Sequence, residues 1–256
     1  MSEERRRKII ALLEMEHRVR VEELAQRFDV SEVTIRKDLT ELEARGLLQR
    51  THGGAVLAHK SRFNPSFLEK LEMHAAEKRA IACAALEHIR EGDALILDAG
   101  STTLALARVM RGEFRHLTVI TSSVPIALEL AHAGWDLILV GGQVREHSLA
   151  LIGPVAVNAL ADFYADKAFL GATGVTLSHG YSTPNPLDAQ LKQAIMRAAR
   201  ERYVLTDSSK LGRGVLANYA HLEEMTLLIT DANAPADFIA ALQQRGIAYK
   251  LARPAP

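Results

Sequence analysis

Glycine, hydroxyl and charged side chains recur directly after the apolar runs of the C-terminal two thirds of the chain. The clearest case is the Gly-Ser-Thr-Thr segment at 100–103, which follows an apolar run and Asp98. The free amides and the dipole of a helix start favour a phosphate group. This spacing predicts a phosphate-binding turn, with Asp98 suited to accept hydrogen bonds from sugar hydroxyls.

The residues that follow the other apolar runs supply charge for such a ligand. Arg145, Lys192 and Lys210 could neutralise a phosphate, and Asp188 could accept from sugar hydroxyls. Open α/β sheets bind ligands at the carboxyl ends of their strands, so a small phosphorylated polyhydroxyl ligand is expected there. The candidate effector-binding residues are Asp98, Gly100, Ser101, Thr102, Thr103, Thr121, Ser122, Gly141, Gly142, Arg145, Gly171, Asp188, Lys192 and Lys210.

Each of these features also has a purely structural interpretation. Gly-Ser-Thr-Thr is often only a turn with an N-cap, and the glycines at 141–142 could serve only a tight bend. Asp188 and Lys192 could pair with each other on a helix at 188–200. Their joint occurrence at one sheet edge favours a ligand site. Two alternatives stay open, a phosphosugar isomerase with an accessory DNA-binding module and a domain that only oligomerises.

A second candidate site lies at 30–42, where an apolar stripe leaves two neighbouring cations free. Ser31 is a good N-cap, and Ile35, Leu39 and Leu42 share one helix face. Helices predicted at 5–15 and 21–28 precede it. The predicted DNA-contacting residues are Ser31, Thr34, Arg36, Lys37, Arg50 and His52.

The residues after this helix predict the remaining part of a winged helix-turn-helix. Gly46 is a natural helix stop, and two short strands around Gly53-Gly54 form the hairpin. In such a module the third helix enters the major groove. The alternative is an ordinary three-helix packing unit with solvated charges. The cluster of cations at 5–8 could touch the DNA backbone or form a solvated face.

Composition indicates an ordinary globular protein of 256 residues, 48% hydrophobic and 24% charged, with no net charge. Residues 1–62 hold 13 Lys and Arg against 11 Asp and Glu, so DNA binding should depend on placed contacts. No secretory signal or membrane-spanning run is expected, and we predict a cytoplasmic protein. Its single cysteine and scattered histidines predict no metal site, and no cofactor is expected.

The predicted fold class is α+β with two domains, a winged helix-turn-helix followed by an α/β domain with a mostly parallel sheet. The predicted boundaries are 1–57 for the DNA-binding domain, 58–75 for a linker and 76–256 for the sensing and oligomerisation domain. A short helix is possible at 67–74. The predicted strands lie at 94–97, 117–120, 137–140, 167–170, 203–206, 226–229 and 247–251.

Both halves resemble the DeoR-type family of bacterial transcriptional repressors of sugar and nucleoside catabolism. The motifs that carry the resemblance are Thr34-Ile35-Arg36-Lys37-Asp38-Leu39, His52-Gly53-Gly54-Ala55, Gly100-Ser101-Thr102-Thr103, Asp166-Lys167-Ala168-Phe169-Leu170-Gly171 and Asp207-Ser208-Ser209-Lys210. Asp188 stands where the family usually has Glu, and Leu211 where Phe is common.

The resemblance implies a repressor of a carbohydrate catabolic operon that a phosphorylated sugar releases from operator DNA. It also implies a sensor domain similar to ribose-5-phosphate isomerase and CoA-transferase folds. Two-fold half-sites on the operator predict a homodimer or homotetramer.

Overall fold

A computed structural model describes residues 2–16, 18–45, 47–51, 53–57 and 66–253. The chain divides into two compact units, one up to position 65 and the other from position 66. The predicted boundaries at 57 and 75 stay predictions, since positions 58–65 lie outside the described residues.

The N-terminal unit is a winged helix-turn-helix. Strands β1, β3 and β2 form an antiparallel sheet in that order. The predicted helix order and hairpin are confirmed, whereas β1 was not predicted because three residues are too short for a strand pattern. The elements are α1 (Ser2–Glu16), β1 (Arg18–Arg20), α2 (Val21–Phe28), α3 (Glu32–Ala44), β2 (Leu48–Thr51) and β3 (Gly54–Leu57).

The predictions for two glycines of this unit, Gly54 and Gly46, have different outcomes in the structure. Gly54 belongs to β3 rather than to the turn, which corrects the Gly-Gly turn prediction. A Cβ at Gly54 would lie 1.9 Å from the backbone oxygen of Val19 on β1, so the close approach of β1 requires glycine. Gly46, the predicted helix stop, lies outside the described residues, and Arg45 is the C-cap of α3.

The second unit is built on a seven-stranded sheet in which every strand pair is parallel. The spatial order is β15-β14-β12-β9-β4-β5-β6, so the strand order reverses between β9 and β4. The predicted parallel sheet is confirmed. The strands are β4 (Ala94–Leu97), β5 (Thr118–Thr121), β6 (Asp136–Leu139), β9 (Ala165–Gly171), β12 (Ala199–Leu205), β14 (Leu227–Asp231) and β15 (Tyr249–Ala252).

Helices pack on both faces of this sheet because its strands bury apolar residues on both sides. Ile96 of β4 belongs to one core, and its neighbours Leu95 and Leu97 belong to the core of the opposite face. Helices α4 to α7 line the second face and α8 to α10 the first. They are α4 (Phe67–Glu72), α5 (Ala75–Leu86), α6 (Ser101–Met110), α7 (Val124–Leu130), α8 (Pro154–Ala159), α9 (Pro186–Arg197) and α10 (Ala236–Gln244).

Five short antiparallel strands were missed, since none has a long apolar run. A hairpin pairs β7 (Gln143–Arg145) with β8 (Ala150–Ile152). A three-stranded sheet contains β10 (Gly174–Thr176), β11 (Gly180–Thr183) and β13 (Ala217–Ala220). No helix among the described residues has the length and apolar character needed to cross a membrane.

Candidate functional site

The point where the strand order reverses brings three predicted residues into contact. Asp98 follows β4, and its carboxylate Oδ2 accepts from the Gly171 amide at the end of β9 over 2.9 Å. Lys192 of α9 pairs with the same oxygen and donates to the Gly171 carbonyl at 3.0 Å. Open α/β sheets place their ligands at such a reversal.

Tyr219 supports this cluster from β13 and was not predicted. Its hydroxyl donates to the Gly171 carbonyl at 2.9 Å, and its ring centroid lies 5.3 Å from the Lys192 ammonium. Burial raises the pKa of Tyr219 well above its usual value, so the phenol keeps its proton. Tyr219 lies on a strand without a clear apolar pattern, so no feature of the sequence predicted its part in this cluster.

Arg145 and Asp188 form a second pair, and Lys192 pairs with Asp98 rather than with Asp188, as the structural alternative had it. Arg145 Nη1 lies 2.9 Å from Asp188 Oδ2. Burial raises the pKa of Asp188, and the charges of Lys192 and Arg145 act against that rise. The helix at 188–200 also needs correction, because α9 ends at Arg197 and the following residues enter β12.

The phosphate-binding turn at 100–103 opens α6 without a side-chain cap, because its N-cap residue is Gly100. Thr103 does not offer its hydroxyl outward, since that group donates to the backbone oxygens of Asp98 at 2.7 Å and Gly100 at 3.0 Å. Ser101 is half-buried and Thr102 is buried. Amides of a helix start rather than the Thr103 hydroxyl are therefore the donors that an anion would meet here.

The turn after β5 presents one hydroxyl that is not engaged. Thr121 donates its hydroxyl to the Leu97 oxygen at 2.7 Å. Ser122 is 2% exposed, and its Oγ has no hydrogen-bond partner among the described residues. Buried hydroxyls normally have a partner, so Ser122 is a credible ligand contact.

Of the two glycines after β6, Gly142 serves the chain bend that was the alternative interpretation. Gly142 has φ +142°, and a Cβ there would lie 2.8 Å from the Ile152 oxygen of β8. Gly141 has no such restriction, and its nearest neighbour would be a methyl group of Val155 at 3.4 Å. Gly142 therefore fits the hairpin β7–β8 against the end of the sheet.

Lys210 lies beside further charged groups that the prediction missed. It ends the short 3₁₀ helix Ser208–Lys210. Burial alone would raise the pKa of Asp207, but Lys210, the Ser209 hydroxyl and Lys78 hold it below its usual value. Lys78 shares the stripe of Ile81 on α5, and a charge on a buried stripe is the signal that could have identified it.

The recognition helix α3 is amphipathic in the predicted way. Ile35, Leu39 and Leu42 are buried, and the Ser31 hydroxyl accepts from the Thr34 amide at 3.3 Å. The opposite face is exposed and contains, at i, i+3, i+4 and i+7, Val33, Arg36, Lys37 and Thr40. We call these four residues the exposed face of α3.

Within this face, the sequence-based prediction omitted Val33 and Thr40. Val33 is 73% exposed, which is unusual for a large apolar side chain on a helix and suits contact with a thymine methyl group. Arg36 pairs with Glu32 at 2.6 Å, and Thr40 accepts from Arg50 Nη1 on the wing at 2.9 Å. Arg50 is therefore held against α3, and His52 lies outside the described residues.

Two cations of the cluster at 5–8 are neither solvated nor free for DNA. Arg5 Nε lies 2.6 Å and Arg6 Nε 2.9 Å from the carboxylate of Asp38, which is buried on α3. Arg6 also pairs with Glu41 at 2.6 Å. Both alternatives are thus wrong for Arg5 and Arg6, which hold α1 against α3.

A winged helix-turn-helix joined to a sensor-type α/β domain defines the class of DNA-binding transcriptional regulators. Family models agree on both parts. Residues 5–61 match the DeoR-like helix-turn-helix domain, and residues 73–232 match the DeoR C terminal sensor domain. The chain belongs to the DeoR family, as its resemblance predicted.

Relatives of similar length support this assignment. The "Uncharacterized HTH-type transcriptional regulator FruR" of Bacillus subtilis is 37% identical over 91% of this chain and 92% of its own. The "Putative aga operon transcriptional repressor" of Escherichia coli O157:H7 is 36% identical over 95% and 91%, respectively. The "Lactose phosphotransferase system repressor" of Lactococcus lactis is 35% identical over 83% and 85%.

The similarity to isomerases is confined to the fold. Ribose 5-phosphate isomerase A from Methanocaldococcus jannaschii matches 52% of this chain and 53% of its own, with 21% identity and a TM-score of 0.39. A likeness this weak does not bear on activity.

Proposed function

We propose that this protein represses a carbohydrate catabolic operon and leaves its operator when a phosphorylated sugar binds the second unit. The observation that carries the proposal is the meeting of Asp98, Gly171 and Lys192 at the reversal of strand order. Relatives that are named as repressors of an aga operon and of a lactose phosphotransferase system support it.

For operator binding, we propose that the exposed face of α3 enters the major groove. Arg36 and Lys37 can reach guanine edges there. We propose that Arg50, which donates to Thr40 of α3, also contacts the phosphate backbone, and we keep His52 as a further candidate. Ser31 and Thr34 already bond to each other at the helix start, so we assign them a positioning role or a phosphate contact.

For the effector, we propose that the start of α6 and Ser122 bind the phosphate, while Asp98 and Asp188 accept from sugar hydroxyls. The remaining charges, Arg145, Lys192 and Lys210, neutralise the phosphate. Of the other predicted residues, Thr102 and Thr121 shape the turns, and Gly142 shapes the bend after β6.

We propose a sensor rather than an isomerase. The relatives that match most of the chain are named transcriptional regulators and repressors, which supports the sensor. We further propose a homodimer or homotetramer, because paired half-sites need paired recognition helices. We also propose that the protein acts in the cytoplasm.

Operator binding in the presence of phosphosugars tests this function. Fragments of the protein's own promoter region would be shifted by the wild type in an electrophoretic assay, with pentose and hexose phosphates as additives. We expect at least one phosphosugar to release the DNA, and its unphosphorylated sugar to have no effect. Equal operator affinity with every phosphosugar would contradict the sensor, and turnover of a phosphosugar would support the isomerase instead.

A further inference from the structure

The first turn of α3 presents an apolar side chain to the outside of the DNA-binding unit. Val33, the second residue of the helix, is 73% exposed and belongs to no part of the apolar core of this unit. A β-branched residue on a solvated helix face also stabilises the helix less than alanine does. Neither the core nor the helix itself therefore accounts for a valine at this position.

The neighbours of Val33 favour duplex DNA as the partner that this side chain contacts. The exposed face of α3 contains two cations, Arg36 and Lys37, and no carboxylate. Glu32 borders the face and pairs with Arg36, whereas Lys37 has no side-chain partner among the described residues. Such a face complements the charge of DNA, and the first residues of a recognition helix are those that meet base edges.

We propose that Val33 reads the methyl group of a thymine in the operator and thereby determines part of the sequence specificity. This inference rests on the proposed entry of α3 into the major groove. Thymine is the base that presents a methyl group in that groove, and apolar side chains recognise it. The side chain of valine has no hydrogen-bonding group, so the thymine methyl is the base feature that it can bury.

The spacing of residues along α3 predicts where this thymine lies. Val33 precedes Arg36 and Lys37 by three and four positions, which is about 4.5–6 Å along the axis of an α-helix. Neighbouring base pairs of DNA are about 3.4 Å apart. The thymine should therefore lie within about two base pairs of the base that Arg36 contacts.

Replacing single thymines of the operator by deoxyuridine tests the inference, because deoxyuridine lacks only the methyl group. Gel-shift titrations of the full chain on fragments of its own promoter region give the affinities. At one thymine of a half-site, the replacement should weaken wild-type binding about three- to fivefold, the value of one buried methyl group. Val33→Ala should bind the two DNAs within about twofold of each other, since the contact is already lost.

Two further variants make the test specific to the side chain at position 33. Val33→Ile keeps a branched apolar side chain and should keep the loss seen with deoxyuridine. Met15→Ala is the matched control, since Met15 is 71% exposed but lies on α1, and this variant should respond to the methyl group as the wild type does. Alanine is a better helix former than valine, so Val33→Ala should keep the fold, as circular dichroism would verify.

The outcomes separate this inference from the proposed function. If the wild type binds none of the fragments, operator binding itself fails, and the inference fails with it. If the wild type binds but Val33→Ala shows the same deoxyuridine losses, only the assignment of Val33 is overturned. A wild type that is insensitive to every replacement would overturn it as well. Equal weakening of Val33→Ala on all DNAs, with the methyl losses unchanged, would indicate that Val33 contacts protein instead.

Discussion

Single charged residues of the DNA-binding unit divide into those that hold the unit together and those that stay available for a ligand. Asp38 is on α3 but turned into the protein, where it accepts from both Arg5 and Arg6. Arg36 and Lys37, its sequence neighbours, are exposed. Adjacent residues on a helix point about 100° apart, so one short segment can contribute to both roles.

Asp38→Ala is expected to destabilise the N-terminal unit by about 3 kcal/mol, because it leaves two poorly exposed arginines without their carboxylate. The urea dependence of hydrogen exchange in peptides from α1 and α3 measures this change. Glu32→Ala is the matched control, since an exposed pair contributes less than about 1 kcal/mol. Equal effects of the two substitutions would show that the buried pair contributes no more to the free energy of unfolding than the exposed pair.

Arg36→Ala is expected to reduce operator affinity by about 1–3 kcal/mol and to relax the preference at one base position. The reason is that an exposed guanidinium on the recognition helix can form a bidentate bond with guanine. Titration of the wild type and variant against operators with single base changes measures both effects. Lys8→Ala, an exposed cation of α1 paired with Glu4, should leave the base preference unchanged. A uniform loss over all operators would instead indicate a phosphate contact by Arg36.

At the scale of elements, the β7–β8 hairpin connects several parts of the candidate effector site. It contains Arg145, and the backbone oxygen of His147 in its loop accepts from the Phe67 amide at the start of α4. The Leu151 amide of β8 donates to the backbone oxygen of Ser122 at 2.8 Å. Its position depends on the bend at Gly142. A change in this bend should therefore affect stability and effector response together.

Gly142→Ala is expected to cost about 1–3 kcal/mol, because alanine is strained at a φ of +142° and its methyl would meet the Ile152 oxygen. Trp135 is the only tryptophan and lies in this unit, so its fluorescence during thermal unfolding reports the loss. Gly141→Ala, one residue earlier, lacks both restrictions and should unfold near the wild-type temperature. If the two variants unfold together, the bend does not depend on Gly142.

At the scale of the whole molecule, the near balance of charge in residues 1–62 leaves little nonspecific attraction to DNA. Specific operator binding should then need two copies of the recognition helix. An operator with half-sites one helical turn apart, about 10 base pairs, should bind much more tightly than one with half a turn between them. Gel-shift titrations of both operators test this. Equal affinity for the two spacings would indicate that one copy acts alone.

The amino-acid sequence by itself determined most helices, the seven strands of the main sheet and the exposed cations of α3. These follow from apolar periodicity and caps, which depend on neighbours only a few residues away. Val33 and Thr40 could have been included by the same helical spacing. Short strands such as β1 and β7 have too few residues for a pattern, so they could not be predicted from it.

Only the tertiary structure decided which charged groups meet. Helical spacing allowed Lys192 to pair locally with Asp188, yet it bonds to Asp98, which is 94 positions away in the chain. Tyr219 comes from β13, outside the main sheet, yet its hydroxyl bonds to Gly171 at the end of β9. Such partners are chosen by the order of strands and the anchoring of helices, because the energy of a buried charge depends on everything that surrounds it.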